Sequence, residues 1–382
     1  MTPETQGARR RGTRPIAAVL VVALVLALGV ASYLVRSMRP PSTFDAASAP
    51  EPVALSDAPP SVAVDRTLAT GLTSPWGLAF LSDGDALVGE RDTGRILRVP
   101  ADGGEPTEVG TVDGVLAVGE GGLLGLAVPA GAGPNVVLAY LTTATDNRVV
   151  RLAWDGERLG EQVPILTGIP ANTFHNGGRL LALADGTVLV STGDAGLPST
   201  AQDPASPAGK ILRITADGAP APDNPEPGSA VYSLGHRNVQ GLALDSEGRL
   251  WASEFGAADA DELNQIRPGA NYGWPVHEGG ARDDRYVDPA AQWSPTSTAS
   301  PSGIAIVDDV AYVASLRGEV LWQVPLAGEQ AAEPIPLDLG DLGRLRTVGA
   351  APDGSLWLIT SNTDGRGSPR DSDDRILRLV LD

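Results

Sequence analysis

The chain has 382 residues, 46 of them Gly and 32 Pro, and 42% are hydrophobic. At about 100–200 residues per domain, that length allows two or three domains or one large all-β domain. The absence of Cys excludes disulfides, thiolate metal sites and a thiol nucleophile, and a net charge of −19 argues against nucleic acid, where each phosphate contact needs Lys or Arg.

Residues 1–14 form a basic segment with Arg9, Arg10, Arg11 and Arg14 against Glu4. Residues 15–35 are uncharged and rich in Ala, Val and Leu. At 1.5 Å per residue such a run matches a hydrocarbon core of about 30 Å. Four Arg precede it and Arg36 and Arg39 follow, so the positive-inside bias puts the N-terminus in the cytoplasm. The run is longer than a typical signal core and reads as an uncleaved single-pass anchor. The alternative is a secretory signal cut at Ser32, after the small residues Gly29 and Ala31. Either reading places the rest outside the cytoplasm, at the cell membrane or secreted. Residues 36–64, with six Pro between 40 and 64, form a semi-extended Pro/Ala-rich linker. The first forty residues hold a charge of +5, which leaves −24 for the remainder.

From residue 65 to 382 one pattern repeats: a small apolar run, a turn, an alternating apolar strand and a charged strand. It starts near residues 77, 124, 179, 241, 303 and 348. Asp83-Gly84, Asp185-Gly186 and Asp353-Gly354 stand between apolar runs of period two, a hairpin signal. Spacings of roughly 45–62 residues suit four-stranded propeller blades with loop insertions. The expected fold is therefore all-β: a six-bladed β-propeller, preceded by one transmembrane helix and the linker. Residues 67–72 are the candidate strand that closes the ring. A pair of β-sandwiches is the alternative, and it does not explain six similar copies.

Three loops carry unusual chemistry. The first holds His175 in Thr-Phe-His-Asn-Gly-Gly-Arg, with Asp194 nineteen residues on in Gly-Asp-Ala-Gly. A lone His can cap a turn. A hairpin that brings Asp194 back beside it makes a carboxylate-oriented general base. The second is Gly235-His236-Arg237-Asn238-Val239-Gln240, which also reads as a hydrogen-bonded loop. The third runs from Ser253 to Asn264 and on through Arg267-Pro268-Gly269-Ala270-Asn271-Tyr272-Gly273-Trp274-Pro275. Its carboxylates and carbonyls are hard oxygen donors of the type Ca²⁺ takes, although an ordinary acidic loop has the same composition.

In these residues the chain resembles the soluble glucose and aldose sugar dehydrogenases that depend on pyrroloquinoline quinone (PQQ), which are six-bladed propellers. The resemblance covers residues 65–381. It is carried by PWGLAF at Pro75, GEGGLLGLA at Gly119, HNGGRL at His175, TGDAG at Thr192, AGKILRI at Ala208, DNP at Asp223, RNVQGLA at Arg237, DELNQIRPGANYGWP at Asp261, SPSG at Ser300 and RLRTV at Arg344. It implies PQQ- and Ca²⁺-dependent oxidation of the C1 hydroxyl of an aldose to the lactone, and electron transfer to an unidentified acceptor. His175 would take the hydroxyl proton as hydride passes to the quinone, and Asp194 would orient it. Arg237 and Asn238 would lie against quinone and substrate, with Glu120 nearby. Asp261, Thr298, Arg317, Arg344 and Arg346 would border the cofactor. The carbonyls of Gly256 and Ala257 would hold the catalytic Ca²⁺, and Glu262 with the Tyr272 carbonyl a structural one. PQQ is a trianion, and Arg344 and Arg346 alternate on a strand and share a face, as paired clamps should. Arg317 taken alone reads as a surface ion pair. Where the family usually has Pro, this chain has Val239 and Ala257, and Phe255 stands where a polar residue or His is common. These departures bear on sugar specificity more than on cofactor binding. A non-catalytic extracytoplasmic propeller that binds a ligand or partner, and a Ca²⁺-dependent lactonase-type hydrolase, are the competing functions.

Overall fold

The computed structural model describes residues 58–129, 136–281 and 283–382. The anchor or signal reading of 15–35 and most of the linker lie outside them. No helix among the described residues is long and apolar enough to cross a membrane.

Six antiparallel sheets make up this part of the chain. Five follow one another along the sequence, at residues 75–111, 123–169, 180–234, 239–293 and 301–337. The sixth joins 345–381 to the strand Val62–Ala69. The innermost strands are Pro75–Phe80, Leu123–Ala127, Leu180–Ala182, Val239–Leu244, Pro301–Val307 and Leu345–Ala350, and each touches the next around a closed ring. This is the expected six-bladed propeller, with every blade starting where the repeat starts.

The repeat encodes the ring through its first glycine. A Cβ on Gly77 would sit 2.4 Å from the Leu124 carbonyl oxygen, and one on Gly241 2.4 Å from that of Ser302. At both positions the innermost strand lies against the backbone of the next blade, so no side chain fits there, whereas the third innermost strand, Leu180–Ala182, has no glycine. Beyond that contact the apolar side chains fill six cores, one between each pair of neighbouring blades. Leu87 and Ile96 of the first blade, for example, pack with Val137 and Leu152 of the second. Leu345 and Leu358 of the sixth pack with Val310 and Tyr312 of the fifth.

The Asp-Gly turns form, but as four- and five-residue loops rather than tight two-residue hairpins. Asp83 Oδ1 accepts from Asp85 N–H at 3.1 Å, Asp185 Oδ1 from Thr187 N–H at 2.8 Å, and Asp353 Oδ1 from Ser355 N–H at 3.0 Å. The aspartate side chain takes the place of a main-chain turn bond, and the following Gly supplies the positive φ.

The closing strand differs from the sequence expectation. Residues 67–72 were the candidate, whereas the strand is Val62–Ala69, antiparallel to Ile376–Leu381 with Val62 opposite Leu381. Its first three residues fall within the stretch read as linker. Most of its side chains face solvent and only Leu68 and Ala69 are buried, so main-chain pairing sets its extent and the apolar pattern does not reveal it.

Candidate active site

Strand alternation fixes where the chemistry gathers. In each blade the loop entering the innermost strand and the loop between the second and third strands open on the same face of the ring. Glu120, His175, Arg237, Asn238, Thr298 and Arg344 lie on or beside entering loops. Asp194, Gly256, Ala257, Asp261 and Arg317 lie on or beside the others. The long connection 267–290 climbs back to this face and adds Trp274 and Glu278.

At the centre His175 Nδ1 is 2.7 Å from Asp194 Oδ1, and Asp194 is fully buried. Asp194 Oδ1 also accepts Gly196 N–H at 2.8 Å, and Oδ2 accepts Trp274 Nε1–H at 2.9 Å. Burial pushes the Asp194 carboxyl up, but the bonds from His175 and Gly196 outweigh it and the net pKa lies below the usual range. An ionised carboxylate has no proton to donate, so the hydrogen between the two belongs to His175 Nδ1. His175 itself stands in the left-handed region at φ 58°. Its N–H donates to Glu120 Oε2 at 2.9 Å, and its carbonyl passes so close to Gly193 that a Cβ there would lie 1.9 Å away. That approach is why the residue before Asp194 has to be glycine.

Arg237 and Asn238 flank the pair. The Arg237 carbonyl accepts Asp194 N–H at 2.8 Å, and Asn238 Oδ1 accepts Gly177 N–H at 3.0 Å, which ties the fourth blade to both halves of the dyad. Arg237 Nη1 donates to the Phe255 carbonyl at 3.1 Å, and its guanidinium lies 5.4 Å from the Trp274 ring centroid. Among the described residues the buried Arg237 Nε and Asn238 Nδ2 have no acceptor.

Across the channel Arg344 and Arg346 do face one side. Arg344 donates to Asp364 Oδ2 through Nε at 3.1 Å and Nη2 at 3.0 Å, while Arg346 Nη2 lies 3.7 Å from the same oxygen. Arg346 Nη1 donates to Gln240 Oε1 at 3.0 Å, and its Nε is a third buried donor without an acceptor. Burial lowers the Arg346 pKa to about 9, with Arg91 and Arg344 adding to the effect. The sequence reading missed Arg179, which stacks 4.1 Å over Trp76 and donates to the Gln240 carbonyl and Thr347 Oγ1. Burial and Arg346 lower its pKa to about 9 as well. Asp364 and Trp76 were also missed, since nothing in their local spacing separates them from ordinary blade residues, and Gln240, read only as part of a hydrogen-bonded loop, bonds Arg346 as well.

Thr298 and Arg317 adjoin one another, with Arg317 N–H donating to the Ala299 carbonyl at 3.2 Å. Both are exposed, and among the described residues the Arg317 guanidinium makes no hydrogen bond or ion pair. It is therefore not the surface ion pair its sequence alone predicted.

Asp261 is buried and accepts Gly256 N–H at 2.8 Å and Ser300 N–H at 2.7 Å. Burial outweighs these bonds and lifts its pKa to about 7. Glu262 stands opposite Glu254 in the blade register, and burial together with that neighbour's charge pushes its carboxyl well up. Its oxygens accept Asn264 Nδ2–H and Gly279 N–H. Tyr272 stacks on His236 at 4.7 Å and gives its hydroxyl hydrogen to the Gln265 carbonyl. No hydrogen bond joins Glu262 to Tyr272 among the described residues. Also among them, no cluster of three or more His, Asp or Glu is arranged to hold a metal. A cation here would lean on carbonyls, and no donor among these residues is bonded to those of Gly256 and Ala257.

The fold and this face together define a propeller with a carboxylate-bonded imidazole set near grouped guanidinium ions. Three unsatisfied donors in it suit an anionic ligand rich in acceptors. The chain belongs to the glucose/sorbosone dehydrogenase family, whose model matches residues 72–378. It is 52% identical to the aldose sugar dehydrogenase of Streptomyces coelicolor, solved in its PQQ-bound form, with a TM-score of 0.81 over 85% of this chain and 100% of that one. The aldose sugar dehydrogenase YliI of Escherichia coli (strain K12) is 29% identical over 357 residues, 83% of this chain and 95% of its own. Quinoprotein glucose dehydrogenase B of Acinetobacter calcoaceticus is 32% identical over 259 residues, 58% of this chain and 54% of its own.

Proposed function

We propose that this chain oxidises the C1 hydroxyl of an aldose to the lactone with PQQ and Ca²⁺, and that His175 is the general base. The observation that carries the reading is the 2.7 Å contact of His175 Nδ1 with Asp194, which leaves Nε2 free as a proton acceptor. When bound, PQQ supplies the two-electron acceptor for the hydrogen leaving C1, and Ca²⁺ polarises it as a Lewis acid.

The chain's own residues do the rest. His175 Nε2 takes the hydroxyl proton as the C1–O bond becomes a carbonyl. Asp194 holds the imidazole in the productive tautomer and stabilises the imidazolium that results. Arg237 and Asn238 offer unspent donors beside substrate and quinone. Arg344 and Arg346 balance the cofactor's carboxylates, with Thr298 and Arg317 at the rim and Asp261 and Glu120 at its border. The carbonyls of Gly256 and Ala257 chelate the catalytic Ca²⁺, and Glu262 with the Tyr272 carbonyl serves a structural one. Electrons then leave for an extracytoplasmic acceptor, with residues 15–35 as anchor or cleaved signal. A propeller that only binds has no need of a carboxylate-oriented base, and a lactonase has no need of grouped guanidinium ions.

The test is to add PQQ and Ca²⁺ to the purified chain and follow reduction of an artificial dye across a panel of aldoses. Turnover is expected, and His175→Ala should remove most of it with an unchanged circular dichroism spectrum. An absence of both quinone binding and turnover would overturn the proposal.

A further inference from the structure

The connection 267–290 brings to this face one carboxylate for which the proposed reaction has no use. Glu278 Oε1 accepts hydrogen bonds from four consecutive main-chain N–H groups, those of Ala257 at 2.7 Å, Ala258 and Asp259 at 2.8 Å and Ala260 at 3.1 Å. Successive N–H groups that converge on one anion form a nest, and here the anion belongs to the same blade. The carboxylate is itself pinned, because Glu262 Oε1 accepts the N–H of the adjoining Gly279 at 2.7 Å.

The nest dictates where the carbonyls point. The peptide bonds at 256–257 and 257–258 are trans, so each carbonyl is directed opposite to the N–H of the next residue. With the N–H groups of Ala257 and Ala258 turned to Glu278, the carbonyls of Gly256 and Ala257 turn away from it. Asp261 fixes the start of the segment through Gly256 N–H. The Phe255 carbonyl, one residue earlier, holds Arg237 Nη1.

We infer that Glu278 is a positioning residue for the cation site: it gathers segment 257–260 around one oxygen and thereby presents the Gly256 and Ala257 carbonyls as a chelating pair. The inference rests on the calcium reading above. Glu278 touches neither the dyad nor the grouped arginines by any hydrogen bond, so it acts through the shape of the segment.

Two measurements on the full chain, freed of Ca²⁺ by a chelator, test it. Calorimetric titration with CaCl₂, run with and without PQQ so that the Gly256/Ala257 site is identified as the one the quinone tightens, should give Glu278→Ala a dissociation constant at that site about 10–100-fold above wild type, the usual loss when a group supporting a metal ligand is removed. Amide hydrogen exchange should show protection lost at residues 257–260 with the blade strands still protected. Glu278→Gln keeps an acceptor oxygen and should recover part of both. Glu278→Met, of similar size but without an acceptor oxygen, carries the test if the Ala variant does not fold, and Ca²⁺ affinity equal to wild type in Met then overturns the inference. Lost protection with unchanged Ca²⁺ affinity overturns it too, because Glu278 would then only stabilise the loop. No Ca²⁺ uptake by the wild-type chain overturns the calcium reading and the inference together, a result that needs no variant.

Discussion

At the scale of single residues, two buried groups decide more than their neighbours. Asp194 fixes the His175 tautomer only while it is a carboxylate. In Asp194→Asn the amide can present N–H to Nδ1, so the ring proton moves to Nε2 and the base is lost. We expect kcat to fall by about 10²–10⁴-fold, the usual worth of a positioned base, with KM little changed in steady-state assays. The acid dependence of stability follows from the same group. Its folded pKa lies below the usual aspartate range, so its contribution is present above about pH 3.9 and lost as pH falls through the folded value. Asp194→Asn should lack that part of the acid transition when unfolding is followed against pH. Lys210, the one lysine in the chain, is a structural counterpart. Its fully buried ammonium donates to the carbonyls of Thr200, Ala201 and Ala208 at 2.8–2.9 Å. Lys210→Met leaves the Ala208 carbonyl without a donor, at a cost of about 1–3 kcal/mol, while the Thr200 and Ala201 carbonyls keep the N–H groups of Asp203 and Gly235, and calorimetry should show a drop in Tm. Because Gly209 beside it packs under His236, that loss should also disturb the Arg237 loop.

At the scale of elements, the strand ends and turns explain what was readable beforehand. The starts were legible because several innermost strands, such as those with Gly77 and Gly241, set a glycine against the next blade, and Asp83, Asp185, Asp245 and Asp353 build Asx-type turns after theirs. Both leave short, repeating signatures. Gly241→Ala should therefore destabilise through a main-chain collision, by about 1–3 kcal/mol or more, whereas Gly354→Ala meets open space and loses only its favoured positive φ. Comparing the two by denaturant unfolding separates close approach from turn conformation. In the site, His175 and Asp194 were legible because one hairpin joins them. Arg179 was not, since its partners come from other blades, and neither were Asp364 and Glu278, which sit in connections with no periodicity although their partners lie in their own blades. Glu278 shows this most clearly, for it lies about twenty positions from the amides it collects.

At the scale of the whole molecule, closure of the ring links the termini of the propeller to the site. Val62–Ala69 covers the last strand, and Arg378 spans the seam by bonding Asp65 on one side at 2.7 Å and Asp353 on the other at 2.8 Å. The seam also reaches the channel. Trp76, the first blade's partner to Arg179 and Arg346, passes its carbonyl to Thr347 Oγ1 of the sixth blade at 2.7 Å. A chain lacking residues 1–69 would expose Ile376–Leu381 as an unpaired, apolar edge, a template for association. We expect it to elute as aggregates on size exclusion and to lose quinone binding, because the sixth blade carries Arg344 and Arg346. A chain lacking only 1–57 keeps the strand and should remain monodisperse with full quinone affinity. If both truncations behave alike, the closing strand does not hold the ring, and the cores between the blades must do so unaided.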